Sequence, residues 1–282
     1  MAWVLYLLLH AGYCFNYNNH GIDWPGTCNT SLFQSPIDID LNYLFEIQSD
    51  DPAYWSLDLK YKPVHVINLN STKPVSITSG FTYNPNINFN IFSNFGKISK
   101  IQESTSIQYE ASSISFHYPA EHSISKSAKN TKGNYLLEVQ ITHISTDNPN
   151  DTLILSVFFQ PSSQKNYFLK QIIDSYYSTI GGDIDCTFAT NGWFVVKNFF
   201  TYAGSQTIPN CNEGVTWVLL SDVVNSTQAQ IDFFASKLNI SGLGGNFRYT
   251  YPKNGRIVYK HVAGVFSFSL YLNVFISVLG LF

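Results

Sequence analysis

Apolar and polar residues alternate with a period of two through much of this chain. Runs at 57–61, 64–68, 75–78, 105–109, 114–118, 135–143, 153–159, 194–200 and 216–220 are rich in β-branched, aromatic and aliphatic residues. Pro, Asn and Gly punctuate them, so each reads as a strand. Helical periodicity is confined to 165–177 and 227–238, and the second segment places Ile231, Phe234, Ala235 and Leu238 on one stripe. Many strands with few helices predict a mainly β fold with short helices, built on a mostly antiparallel sheet. No repeat, charge block or low-complexity linker divides residues 15–261, which read as one domain.

The two ends depart from this pattern. Residues 3–9 form a short apolar run, followed by the small residues Gly12 and Cys14. That arrangement predicts a secretory leader over residues 1–14, although no Lys or Arg precedes the run; a buried N-terminal helix is the alternative. Residues 262–282 form a hydrophobic tail, free of charge from Ala263 onward. Its length matches the roughly 20 residues that cross a bilayer. A membrane span, a signal exchanged for a lipid anchor and a buried C-terminal strand all fit such a tail.

Composition narrows the functional classes. With 282 residues, 45% of them hydrophobic, the chain can bury a sizeable core, which argues against disorder. The net charge of −3 leaves no basic footprint for nucleic acid. Asn-x-Ser/Thr sequons at Asn29, Asn70, Asn150, Asn225 and Asn239 suit surface loops of a secreted chain.

Strand alternation also organises the chemistry. Along 113–117, Ser113, Ser115 and His117 share one face, with Ile114 and Phe116 on the other. Along 138–143, Glu138, Gln140 and Thr142 lie opposite Val139, Ile141 and His143. Two such strands side by side present polar rows able to line one pocket. Alternation alone reads these rows as the solvent-facing side of a sheet.

Several ordered motifs resemble one family. They are His20 to Pro25; Cys28 with Gln34-Ser35-Pro36-Ile37; Ser115-Phe116-His117 through Glu121-His122; and Glu138-Val139-Gln140-Ile141-Thr142-His143. Tyr202 to Trp217, Gly245-Asn246-Phe247-Arg248 and Asn254-Gly255-Arg256 complete the set. Together they resemble the α-class carbonic anhydrases along nearly the whole mature chain. The resemblance implies a single large twisted sheet with the polar rows at the bottom of an active-site cone. It also implies a disulfide between Cys28 and Cys211, which leaves Cys186 as a buried thiol or an intermolecular bridge.

In that family three histidines hold zinc, and the metal lowers the pKa of its bound water to about 7 for attack on carbon dioxide. Of the three ligand positions only His117 keeps its histidine; Ser115 and Gln140 stand at the others. The resemblance makes Thr207 the residue that orients the zinc hydroxide and Glu121 the acceptor of its proton. It places Val215 and Trp217 on the substrate wall, with Gln206 where Leu is usual and Ile208 where a small hydroxyl residue is usual. A proton-shuttle histidine would fall near Ser71 or Thr72, and His122 and His143 match structural histidines. A hydroxyl and a carboxamide are poor zinc donors, so no metal cofactor is expected.

The resulting expectation is a secreted or cell-surface, non-catalytic module. It would bind an unidentified extracellular partner or small ligand in a pocket lined by His117, Gln140, Gln206 and Thr207. It would be held to a membrane by its tail, and Glu121 and Thr207 would be vestigial. The alternative is a working zinc lyase that hydrates carbon dioxide at a non-standard metal site. A third possibility, a structural part of a surface assembly, would use Cys186 as its covalent handle.

Overall fold

The computed structural model describes residues 15–66, 95–125, 135–178, 182–187, 196, 198–238 and 244–263. The leader, nearly all of the tail, the 75–78 run, Ser71 and Thr72 lie outside the described residues. Strands β1 (Asp38–Asp40), β2 (Phe45–Gln48), β3 (Ser56–Tyr61), β4 (Val64–Val66) and β5 (Gly96–Gln102) come first. Then follow β6 (Thr105–His117), β7 (Ser123–Ser125), β8 (Leu137–Ser145) and β9 (Thr152–Ser162). After them come β10 (Gly182–Ile184), β11 (Asn198–Ser205), β12 (Glu213–Leu220), β13 (Val224–Thr227) and β14 (Tyr259–Val262). The helices are α1 (Thr27–Thr30), α2 (Tyr167–Tyr177) and α3 (Gln228–Leu238).

Ten strands form one mixed, mostly antiparallel sheet in the order β2-β14-β11-β12-β9-β8-β6-β5-β3, with β13 also paired to β9. Pairings β12–β9, β13–β9 and β14–β2 are parallel. The predicted strands at 105–109 and 114–118 are a single strand, β6. A register shift between Ala111 and Ser113 absorbs the interruption in the pattern, as a bulge does. Strands β1, β2, β5, β7, β10, β13 and β14 escaped the sequence pattern; all but the seven-residue β5 have only three or four residues, which carry too little alternation.

Both longer helices start one or two residues inside their predicted bounds, for reasons of capping. Asn166 caps α2, its side chain accepting from the Leu169 amide at 3.0 Å. At α3, Thr227 Oγ1 accepts from the Gln230 amide, and Gln230 Oε1 accepts from the Thr227 amide at 3.1 Å. This reciprocal pair is a capping box. Both helices bury their apolar stripes: Phe168, Leu169 and Ile172 of α2, and Ile231, Phe234 and Leu238 of α3. They join Ile114, Phe116, Val139 and Ile141 in the main core. A second apolar cluster, around Ile37, Phe158, Tyr202, Val215 and Trp217, lies apart from the first. The polar rows of β6 and β8 point away from the main core.

Candidate functional site

The antiparallel register of β6 and β8 sets Ser113 opposite Thr142, Ser115 opposite Gln140, and His117 opposite Glu138. The two polar rows therefore lie side by side. They are no solvent-facing surface at their lower end: His117, Gln140 and Glu138 are buried, while Ser113 and Ser115 are half-buried. Burying a polar row costs free energy unless each group finds a partner. The network below supplies those partners.

Glu138 is its hub. The Glu121 and His122 amides donate to Oε2 at 2.7 and 2.9 Å. His122 Nδ1 donates to Oε1 at 2.8 Å, and Ser156 Oγ and Gln140 Nε2 donate to the same oxygen at 2.7 and 3.0 Å. Burial alone would raise the Glu138 pKa, but the charge and hydrogen bonds of His122 outweigh it and hold the carboxyl at about 2. Glu138 is thus an anion inside the fold. The other ring nitrogen of His122 meets Tyr202 Oη at 2.6 Å, and its ring lies 4.5 Å from that of Trp217. Both nitrogens of His122 are engaged inside the protein.

Gln140 is the side chain that ties the rows together. Its Nε2 donates to Glu121 Oε2 at 2.8 Å, and its Oε1 accepts from Thr207 Oγ1 at 3.5 Å. The resemblance implies a direct bond from Thr207 to Glu121. Here a carboxamide, donor at one end and acceptor at the other, sits between the two. Glu121 Oε1 accepts instead from the Arg248 amide at 2.9 Å and stands 3.3 Å from His117 Nδ1.

His117 is held from behind. Its Nδ1 lies 2.9 Å from the Asn246 carbonyl oxygen. Both neighbours of Nδ1 are acceptors, so that nitrogen carries the hydrogen. Asn246 is itself fixed by strand β6: Nδ2 donates to the Phe116 carbonyl and Oδ1 accepts from the Tyr118 amide. The preceding Gly245 lets the chain approach this closely, since a Cβ there would stand 1.7 Å from the Tyr118 oxygen, at φ +130°. Among the described residues nothing bonds Nε2 of His117. Sequence reasoning gave Asn246 and Ser156 no role. The Gly245-Asn246 pair beside Arg248 was the available signal for the first, whereas Ser156 in an apolar strand carried none.

The remaining predicted residues fall as follows. Thr207 is buried and Gln206 half-buried at the end of β11. Val215 and Trp217 belong to the second core cluster, and Trp217 Nε1 donates to the Ser205 carbonyl at 2.9 Å. Ile208 is half-buried. His143 faces the main core, with Nε2 2.7 Å from Tyr61 Oη; burial lowers its pKa to about 4. Cys28 and Cys211 form the expected disulfide, 183 residues apart in sequence. Cys186 is free and wholly buried, and burial pushes its thiol up to about 12, so it offers no surface handle for a covalent assembly. Asn29, Asn150 and Asn225 are exposed, whereas Asn70 and Asn239 lie outside the described residues.

A ten-stranded mixed sheet carrying two buried polar rows side by side on β6 and β8 defines the class of protein. Residues 18–262 match the family model for eukaryotic-type carbonic anhydrases, and the chain belongs to that family. Bovine carbonic anhydrase 6 is 25% identical over 54% of the chain and 54% of its own length. Arabidopsis thaliana alpha carbonic anhydrase 3 is 29% identical over 51% of the chain and 50% of its own length. The chain therefore spans about half the length of these two relatives. Human carbonic anhydrase-related protein is 35% identical over 23% of the chain and 26% of its own length. Among solved structures, dioscorin complexed with ascorbate superposes with a TM-score of 0.64 at 23% identity, covering 88% of this chain and 94% of that one. The Photobacterium profundum α-carbonic anhydrase gives 0.61 at 21%, covering 87% and 99%.

Proposed function

We propose that this chain is a secreted or cell-surface carbonic-anhydrase-like domain that binds no zinc, hydrates no carbon dioxide, and acts as a binding or structural module. One observation carries the reading: where the polar rows of β6 and β8 lie side by side, the available donors are a hydroxyl, one imidazole and a carboxamide. Zinc sites of the catalytic kind use three strong protein ligands and leave one position open. Ser115 supplies a hydroxyl that stays neutral near pH 7. Gln140 directs its amide nitrogen to Glu121 and Glu138, which makes it a hydrogen-bond bridge. This donor set does not fit zinc as the family holds it. Among the described residues, no group of three or more His, Cys, Asp or Glu side chains is placed to hold a metal ion.

Other features support the setting of the module. A disulfide closing most of the domain suits an oxidising compartment, and the exposed sequons suit a glycosylated surface. The dioscorin–ascorbate complex gives this fold a precedent for holding a small molecule. We place the membrane attachment in the charge-free tail, and the ligand or partner contact at His117, Gln140, Gln206 and Thr207.

The test is metal content and carbon dioxide hydration of the purified chain. Zinc far below stoichiometric, with hydration at the buffer rate, is expected. Restoring Ser115→His and Gln140→His together should raise zinc affinity strongly, while either change alone gains little. If the unaltered protein already binds zinc as tightly as the double variant, the working-lyase alternative replaces this reading.

A further inference from the structure

We propose that the surface formed by residues 32–33, 43–45 and 253–259 lies against the headgroups of a phospholipid bilayer. This rests on the membrane attachment assigned above to the tail and adds the face that the domain turns to the lipid. Leu32, Phe33, Tyr43, Phe45 and Ile257 are each between 44% and 70% exposed. They come from three separate segments, and the fold makes one surface of them. Asn254 Nδ2 donates to the Leu32 carbonyl at 2.7 Å, and the Phe45 amide donates to the Val258 carbonyl at 2.9 Å. The Phe45 and Tyr259 rings meet at 5.7 Å, where β2 and β14 start side by side. Exposed apolar side chains gathered in this way mark an interaction face, whereas scattered ones do not.

Cations stand among the rings. Lys253 Nζ lies 5.9 Å from the centre of the Tyr43 ring, and the Arg256 guanidinium 5.8 Å from that of Phe33. Rings with basic groups beside them match the headgroup layer, which is apolar on one side and carries phosphate anions on the other. Two acidic groups of this surface are already engaged: Glu46 accepts from Lys260 at 2.9 Å, and Glu213 from the Phe33 amide at 2.6 Å. The route of the chain favours a bilayer over a second copy as the occupant. Tyr259 opens β14, and the charge-free stretch begins at Ala263, only four residues later, about 13 Å along an extended strand. Once the tail is in the bilayer, so short a tether holds the patch beside the lipid at high effective concentration.

The test uses the full-length chain reconstituted with phosphatidylcholine vesicles and separated by flotation. Tyr43→Cys in the patch and Asp174→Cys on α2 each carry one polarity-sensitive fluorophore; Cys186 is buried, and the unaltered chain labelled alike supplies the background. Lipids brominated close to the headgroup should quench most of the emission at position 43 and leave position 174 unchanged. Phe33→Ser with Ile257→Ser, both at exposed positions, should abolish that quenching while the chain still floats. A chain that does not float overturns the membrane attachment beneath this inference. A floating chain whose position 43 is quenched no more than position 174 overturns the inference itself, and a blue-shifted but unquenched label there assigns the patch to a second copy instead. Quenching that survives the double serine change shows the fluorophore inserting by itself, which overturns the inference as well.

Discussion

The two faces of the β6–β8 ladder bury a similar number of residues by opposite means. On one face, Ile114, Phe116, Val139 and Ile141 are wholly buried against α2 and α3, and nothing but fit holds them. On the other, His117, Glu138 and Gln140 are just as enclosed, and every contact is a directed hydrogen bond. Packing tolerates exchange among side chains of similar volume. A buried polar network does not, because each orphaned group costs about 1–3 kcal/mol. The position across the ladder from Ser115 thus requires a side chain that satisfies both Glu121 and Glu138. Gln140 meets that requirement with one donor group and one acceptor.

The contrast can be broken most severely from the apolar side. Phe116 stacks on Phe234 at 4.9 Å and on Phe168 at 6.4 Å. Phe116→Ala should cost about 3–5 kcal/mol in denaturant unfolding, with the cone's hydrogen bonds left in place. Acid breaks the other face. Glu138 has a folded pKa of about 2 against 4.5 in a free chain, so its contribution is complete above about 4.5 and lost as pH falls towards 2. By linkage that contribution is on the order of 3 kcal/mol.

The apolar face has its own titrating group. His143 is depressed from 6.5 to about 4, so its neutral form favours the fold above 6.5, and this advantage drains away as pH falls from 6.5 to 4. Stability measured against pH should therefore fall in two stages, and His143→Phe should shrink the upper one, leaving the share of His261, which burial likewise lowers from 6.5 to about 4. A smaller effect sharpens the picture: Tyr61→Phe strips His143 Nε2 of its 2.7 Å partner and should cost about 1–2 kcal/mol. Smallest of all, Thr207→Val removes only the 3.5 Å contact to Gln140 and should change unfolding by less than about 1 kcal/mol. A loss as large as that of Phe116→Ala would mean that Thr207 belongs to the rigid network and not to its rim.

Much of this was legible in the chain. Alternation over 113–117 and 138–143 assigned His143 to the core and Gln140 to the polar row, because side-chain direction in a strand depends only on position. Motif order announced the sheet and the disulfide. The continuity of β6 was not legible, since a bulge at Ser112 shifts the phase without a Pro or Gly to mark it. Nor was the partner of Glu121, which depends on how far a carboxamide reaches across a ladder.

What the sequence determined on its own was the set of local preferences: which face each strand residue takes, where helices are capped, and which chemical groups the floor of the cone contains. Tertiary structure alone decided how those groups spend their hydrogen bonds. His117 gives its hydrogen to Asn246, 129 residues away, and Arg248 turns its charge towards Cys28, 220 residues away. The physical reason is range. Strand direction and capping are settled within a few residues, whereas a buried polar atom takes whichever partner the closing of the whole sheet brings within about 3 Å.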